Sequence, residues 1–209
     1  MPRKTDKREK LIGAAGRLNH EQGFRSTTLA DIAQEASVPL GNVYYYFKTK
    51  DSIGGAVIEL LSNIYADFFK KINAKISDPA ARLRLYLESN SKDPESIARY
   101  GCQVGGLCQE LGKEGGVLAD QAAKLLHDII QWVEVQFRAL GMGERSPSYA
   151  LQLVAAIQGV NLLTLTFKDP KIIHEQTQII LGWLESVIGA KIPAVNLADE
   201  ALVELEAAY

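Results

Sequence analysis

Cysteine is scarce in this sequence. Cys102 and Cys108 are the only two among 209 residues, and neither stands at ligand spacing from a histidine. A disulfide framework and a zinc site are therefore disfavoured, and a reducing, cytoplasmic setting is expected. His20, His127 and His174 are isolated, with no His-x-x-x-His pair. No phosphate-binding glycine loop, dinucleotide fingerprint or nucleophile motif occurs, so Glu110 and Glu114, one helical turn apart, give weak support for acid–base chemistry. No enzyme activity, metal or cofactor is expected. Internal repeats, low-complexity tracts and period-two alternation bounded by turns are also lacking, which leaves an all-α chain. The opening "MPRKTDKREK" is too charged for a secretion signal. One uncharged run, Pro147 to Phe167, nears membrane-spanning length, but Gln152, Gln158 and Asn161 recur through it, which suits a buried interface helix better than lipid.

Charge is unevenly spread. Residues 1–50 hold nine Lys/Arg against five Asp/Glu, a net +4, while the whole chain has 23 against 25. The remainder is thus 14 against 20, or −6. A basic head on an acidic body points to a polyanion met by the head alone.

Helix starts are well marked. Asp78-Pro79, Asp93-Pro94, Ser146-Pro147 and Asp169-Pro170 each set a capping side chain before a proline suited to the first helical position. Thr28-Leu-Ala-Asp31 has the form of a capping box, and Thr49 opens another helix with Asp51 in its first turn. The pattern predicts helices over 5–22, 28–36, 39–47, 50–76, 79–90, 94–100, 102–112, 115–140, 147–167 and 170–188, with a further one over 197–207 where Leu197, Ala201 and Leu205 recur every four residues.

The first three helices are short, and 28–47 reads as a helix-turn-helix. Its second helix carries "LGNVYYYFKTKD", four adjacent rings that cannot all enter one core. At 100° per residue, Leu40, Val43 and Phe47 fall on an inward face with Tyr44 at its border, while Gly41, Asn42, Tyr45 and Tyr46 face outward. Such a face suits nucleic acid: Asn can pair with adenine, Tyr offers hydroxyls to phosphates and ring edges to thymine methyls, and glycine lets backbones approach. Lys48 and Lys50 flank the helix end. Arg25, Thr27 and Thr28 crowd the start of the preceding helix, where hydroxyls and open N–H groups suit phosphate. The candidate DNA-contacting residues are thus Arg25, Thr27, Thr28, Gly41, Asn42, Tyr44, Tyr45, Tyr46, Lys48 and Lys50.

The run "TTLADIAQEASVPLGNVYYYFKTKDSI", after "LIGAAGRLNHEQGF", closely resembles the N-terminal domain of the tetracycline-repressor family of bacterial transcription regulators over roughly residues 8–55. Gly23-Phe24, Thr28, Ile32-Ala33, Val38, Gly41, Tyr44, Phe47, Lys48 and Lys50 carry the likeness. Leu40 departs from it, since many members have a polar or basic residue there. The resemblance implies a DNA-binding head at 1–49 and, at 50–209, a helical domain that binds an effector and dimerises. It further implies a homodimer on a palindromic DNA operator, acting as a repressor released by a small-molecule effector.

In the body, helix 115–140 has two apolar stripes, Leu118, Ala122, Leu125, Ile129, Trp132 and Leu126, Ile130, Val133, Phe137, so it is buried on more than one side. In the family's architecture this helix borders the effector cavity, which makes Leu125, Ile129, Trp132 and Phe137 candidates for ligand contact. Cys102 joins them, at the start of a short helix whose positive end can favour a thiolate. Cys108, about 240° around the same helix, reads as an ordinary buried residue. Ala155, Ala156, Gly159, Gly182 and Trp183 on the last two long helices permit the close approach that the family's four-helix dimer interface requires. Two other classes remain open: a small helical thiol enzyme acting on electrophiles through Cys102 or Cys108, and an adaptor that contacts protein through the tyrosine face.

Overall fold

The computed structural model describes residues 4–194; the helix expected over 197–207 lies outside them. Ten α-helices and no strands occur among the described residues: α1 (Lys4–Gln22), α2 (Leu29–Glu35), α3 (Leu40–Tyr46), α4 (Lys50–Lys75), α5 (Pro79–Ser89), α6 (Pro94–Tyr100), α7 (Gln103–Glu114), α8 (Val117–Ala139), α9 (Ser146–Phe167) and α10 (Lys171–Ile188). The fold class is all-α, as the punctuation predicts.

Capping chemistry sets most of the starts. The Asp78 and Asp93 carboxylates accept from Ala80 N and Ser96 N at 3.1 and 2.9 Å, each ahead of a proline in the first turn. The other two Xaa-Pro signals act differently. A 3-10 turn over Gly143–Arg145 runs straight into α9, so Ser146 lies inside the helix and is fully buried. Its hydroxyl finds no partner among the described residues instead of capping. Asp169 does accept from Lys171 N at 3.0 Å, but Pro170 precedes α10 rather than opening it.

The chain divides into two compact units. Among the described residues, one holds those up to Ile64 with Gln103–Leu126; the other holds Tyr65–Cys102 with residues 127–194. In the first, Leu11, Ile32, Val43, Phe47, Ile53 and Val57 are buried and unite α1 to α4 around one core. In the second, Leu83, Leu87, Val133, Phe137, Leu153, Ile173 and Leu184 are buried. A reciprocal amide pair, Asn90 with Asn161 at 2.9 Å in both directions, crosses this core from the end of α5 to α9. Asn161 is thus satisfied inside the protein, and Gln158 reaches the Cys102 sulfur at 3.6 Å. These two amides of the long apolar run thus serve neighbouring segments. The helix from Gly143 to Phe167 has mean hydropathy 1.5 and is long enough to cross a membrane by length and composition alone. Leu151, Gln152, Ala155, Leu162, Leu163, Thr166 and Phe167 are exposed along one side of it.

Candidate nucleic-acid interface

Local chemistry builds the head from short parts. Thr28, extended at φ −104°, ψ 162°, accepts from Asp31 N through its hydroxyl while the Asp31 carboxylate accepts from Thr28 N at 2.8 Å. This reciprocal box satisfies two N–H groups that a helix start would leave open. The Thr28 hydroxyl also donates to Asp31, holding that carboxyl below its usual range, with the Thr28 backbone bond second. At the other end, Ser37 takes a left-handed φ of 52° and Val38 N bonds Ala33 O at 2.9 Å, turning the chain into α3. After α3, Phe47 is extended and buried, and Thr49 and Ser52 exchange side-chain-to-backbone bonds that start α4.

The surface of α3 only partly follows the wheel. Val43 and Phe47 are buried, as expected, but Leu40 is 40% exposed. It begins a helix of two turns, where an inward angle does not guarantee any element packed above it. The tyrosines also trade places. Tyr44, expected at the border, is 48% exposed and Tyr45 59% exposed, whereas Tyr46, expected outside, is half-buried with Tyr45 edge-on at 5.0 Å. Tyr46 ends the helix just before the chain bends into Phe47. Asn42 is half-buried, and Gly41 and Lys48 are exposed. A Cβ at Gly41 would meet nothing within 4 Å among the described residues, so none of them requires a glycine there.

The remaining candidates are committed inside the protein. Thr27 is fully buried; its hydroxyl donates to Gly23 O at 2.8 Å and accepts from Gln22 at 3.2 Å. That correction has a plain cause, because the hydroxyl closes the turn after α1 rather than facing phosphate. Arg25 is exposed but pairs through Nε with Glu114. Lys50 donates to Arg25 O at 2.8 Å and lies 4.6 Å from the centre of the Phe24 ring. Glu110 accepts from Phe24 N and Arg25 N at 3.2 and 3.0 Å. The sequence offered Glu110 and Glu114 only as a weak acid–base pair; nothing local could reveal partners more than 80 residues away.

Three of the effector candidates lie deep, while Trp132 and Cys102 are half-buried. Leu125, Ile129 and Phe137 are buried, and Trp132 stacks on Phe69 at 4.2 Å and 9°, with Tyr86 edge-on to both. Trp132 Nε1 donates to Asn73 at 3.3 Å. Cys102 precedes α7 rather than opening it, and Cys108 is half-buried rather than buried, its thiol donating to Ala122 O at 3.3 Å. An open cleft of about 490 Å³ lies elsewhere, lined by Asp93, Glu95, Arg99, Tyr100 and Lys168 among others.

Two short helices joined by a tight turn, the second presenting Asn and Tyr beside an exposed lysine, make the head that of a helix-turn-helix regulator. Residues 11–57 match the family described as bacterial regulatory proteins, tetR family. The chain is 32% identical over 113 residues to transcriptional regulator AcuR of Cereibacter sphaeroides, a match covering 53% of this chain and 50% of that one. It thus spans about half the length of that relative. It is 27% identical over 192 residues to the uncharacterised HTH-type transcriptional regulator YxaF of Bacillus subtilis, covering 87% and 98%. Among solved structures, a regulatory protein TetR from Rhodobacter sphaeroides superposes with TM-score 0.72 and 26% identity over 82% of this chain and 95% of that one. Residues 11–57 thus carry the N-terminal domain of the tetR family of bacterial regulatory proteins.

Proposed function

We propose that this chain is a cytoplasmic transcription repressor that grips a palindromic operator as a homodimer and lets go when a small apolar or aromatic effector binds. The observation that carries the reading is the surface of α3, where Gly41, Asn42, Tyr44 and Tyr45 face out beside Lys48. Asn42 and the two tyrosines read base edges, Gly41 admits the DNA, and Lys48 and the open side of Thr28 meet phosphates. One short helix covers only a few base pairs, so two heads related by a two-fold axis are needed.

Support for the homodimer comes from α9 and α10. Leu151, Leu162 and Phe167 on one and Ile179 on the other are each at least half exposed, and Ala155 and Gly182 beside them are small. Large apolar side chains at this density mark a surface that gains by being covered. The DNA-binding domain is 1–49 and the effector and dimerisation domain 50–209. Within the latter, Ile129, Trp132 and Phe137, with Leu125 earlier on α8 and with Cys102, form the effector set. The aromatic stack around Trp132 is where a flat apolar ligand would trade places with protein rings. A 100-fold release requires a coupling of about 2.7 kcal/mol between effector and operator.

The test is selection of bound fragments from a bacterial genome by the purified protein, followed by a compound screen for release. A pseudo-palindromic site bound at two protomers per duplex is expected. Binding with no sequence preference would instead favour a protein-contacting adaptor, and a screen whose every binder leaves operator affinity unchanged would remove effector control.

A further inference from the structure

Two cations that the sequence places at phosphate are instead occupied around a single residue of the head. Arg25 sits in the turn between α1 and α2, and each of its polar groups has a protein partner. Its N–H donates to Glu110 at 3.0 Å, its C=O accepts from Lys50 at 2.8 Å, and its guanidinium pairs with Glu114. Glu110 also takes the neighbouring Phe24 N–H at 3.2 Å, so one carboxylate spans two successive amides. Gly23 fits this arrangement on two counts: its φ is 89°, and a Cβ there would lie 2.7 Å from the Glu110 oxygen. Farther back on the same pair of helices, Gln103, 3% exposed, donates to Gly16 O at 3.0 Å.

We infer that Glu110, Glu114, Arg25 and Lys50 form a clasp that fixes the α1–α2 turn, and with it the helix-turn-helix, against α7 and the start of α4, so that they are positioning residues and not operator contacts. A single exposed ion pair is weak and would hold little. Here a carboxylate bonded to two backbone amides, a lysine on a carbonyl and an ion pair converge on one residue, so the turn cannot rotate without breaking all three. Orientation matters because two heads must enter successive major grooves at a fixed spacing. The inference rests on the DNA-binding reading for its consequence, but the clasp itself is measurable without DNA.

The experiment uses the full chain, the operator recovered by selection and a random duplex of equal length. Arg25→Glu and Glu114→Arg should each weaken operator binding at least tenfold, and the double reversal, which restores the pair and the wild-type net charge, should return to within about threefold of wild type. A phosphate-contacting Arg25 gives the opposite: glutamate would still face phosphate, and the double variant would stay weak. Arg25→Ala should leave the slope of log affinity against log salt unchanged, while Lys48→Ala should lower it by about 0.9, one phosphate's worth. A drop of that size with Arg25→Ala overturns the inference. Hydrogen exchange gives the DNA-free arm. Amides in a peptide spanning 20–28 should exchange about tenfold faster in Glu110→Ala with helix content retained, and unchanged exchange would likewise overturn the clasp. If wild type binds neither duplex, it is the DNA reading that fails, and the exchange result still decides the clasp.

Discussion

The rings of α3 and the rings around Trp132 make an instructive pair. Tyr44 and Tyr45 leave 48% and 59% of their surface open, whereas Phe69 and Tyr86 leave 7% each and close on Trp132. The residue types are nearly the same, so ring content says nothing about role. What differs is the scaffold. A seven-residue helix can bury one side only, and four consecutive rings must overflow it. A helix of 23 residues with two apolar stripes can bury rings on several sides. Rings that overflow are open to a partner as they stand; rings that stack inward are open only to a ligand that displaces one of them.

The strongest way to break this comparison is to truncate one ring from each region and measure folding. Phe69 is buried and stacks on Trp132, and Phe69→Ala should cost about 3–5 kcal/mol in denaturant unfolding, as large-to-small core changes do. Tyr45→Ala should move stability by no more than about 0.5 kcal/mol, as surface substitutions do. Comparable losses would mean that the tyrosine face belongs to the head's own core.

At the operator the order should reverse. Tyr45→Ala or Asn42→Ala should cost about 1–3 kcal/mol of binding to the selected site, while leaving random-sequence duplex bound as before. If both variants bind the operator like wild type, α3 does not read bases through this face.

These outcomes also mark how far the sequence could be read. Element identity was legible because capping signals are local: the Thr28–Asp31 box and the Asp78 and Asp93 caps form within three residues of themselves. Boundaries moved where a signal was displaced by its neighbour, as when the 3-10 turn drew Ser146 into α9. The outward side of α3 was legible except at its ends, Leu40 and Tyr46, because a helical wheel gives direction around the axis and not what lies opposite. The phosphate set was the least legible. A lysine or arginine near a helix end looks the same whether it awaits phosphate or holds a carbonyl, and Arg25 and Lys50 are distinguished only by partners brought in by the fold.

A smaller effect sharpens the contrast from the other side. No described residue lies within 4 Å of a Cβ placed on Gly41, so Gly41→Ala should stabilise the head by about 0.5–1 kcal/mol through helix propensity. The same methyl would stand between α3 and its groove, and operator affinity should fall. A variant with higher melting temperature and unchanged operator affinity would show that the DNA does not approach at Gly41.

The smallest effect concerns the scaffold that presents the face. Asp31 sits in the first turn of α2, and its carboxyl is held below its ordinary value near 3.8 chiefly by the Thr28 hydroxyl, then by the Thr28 backbone N–H. Since the folded value is the lower one, the unfolded chain binds the proton more readily, and the contribution is fully present above the unfolded value. It is lost as pH falls from about 4 through the folded value. Asp31→Asn keeps one acceptor oxygen but no charge, so its melting temperature should lie below wild type at pH 7 and converge on it below about pH 4. The pair also separates the cap from the reading surface, because Asp31 and Thr28 face one another at the start of α2. Operator selectivity in Asp31→Asn, measured as the ratio of operator to random-duplex affinity at pH 7, should stay near wild type even where stability does not. A melting-temperature gap that is the same at pH 3 and pH 7 would mean that the carboxylate charge adds nothing to the cap.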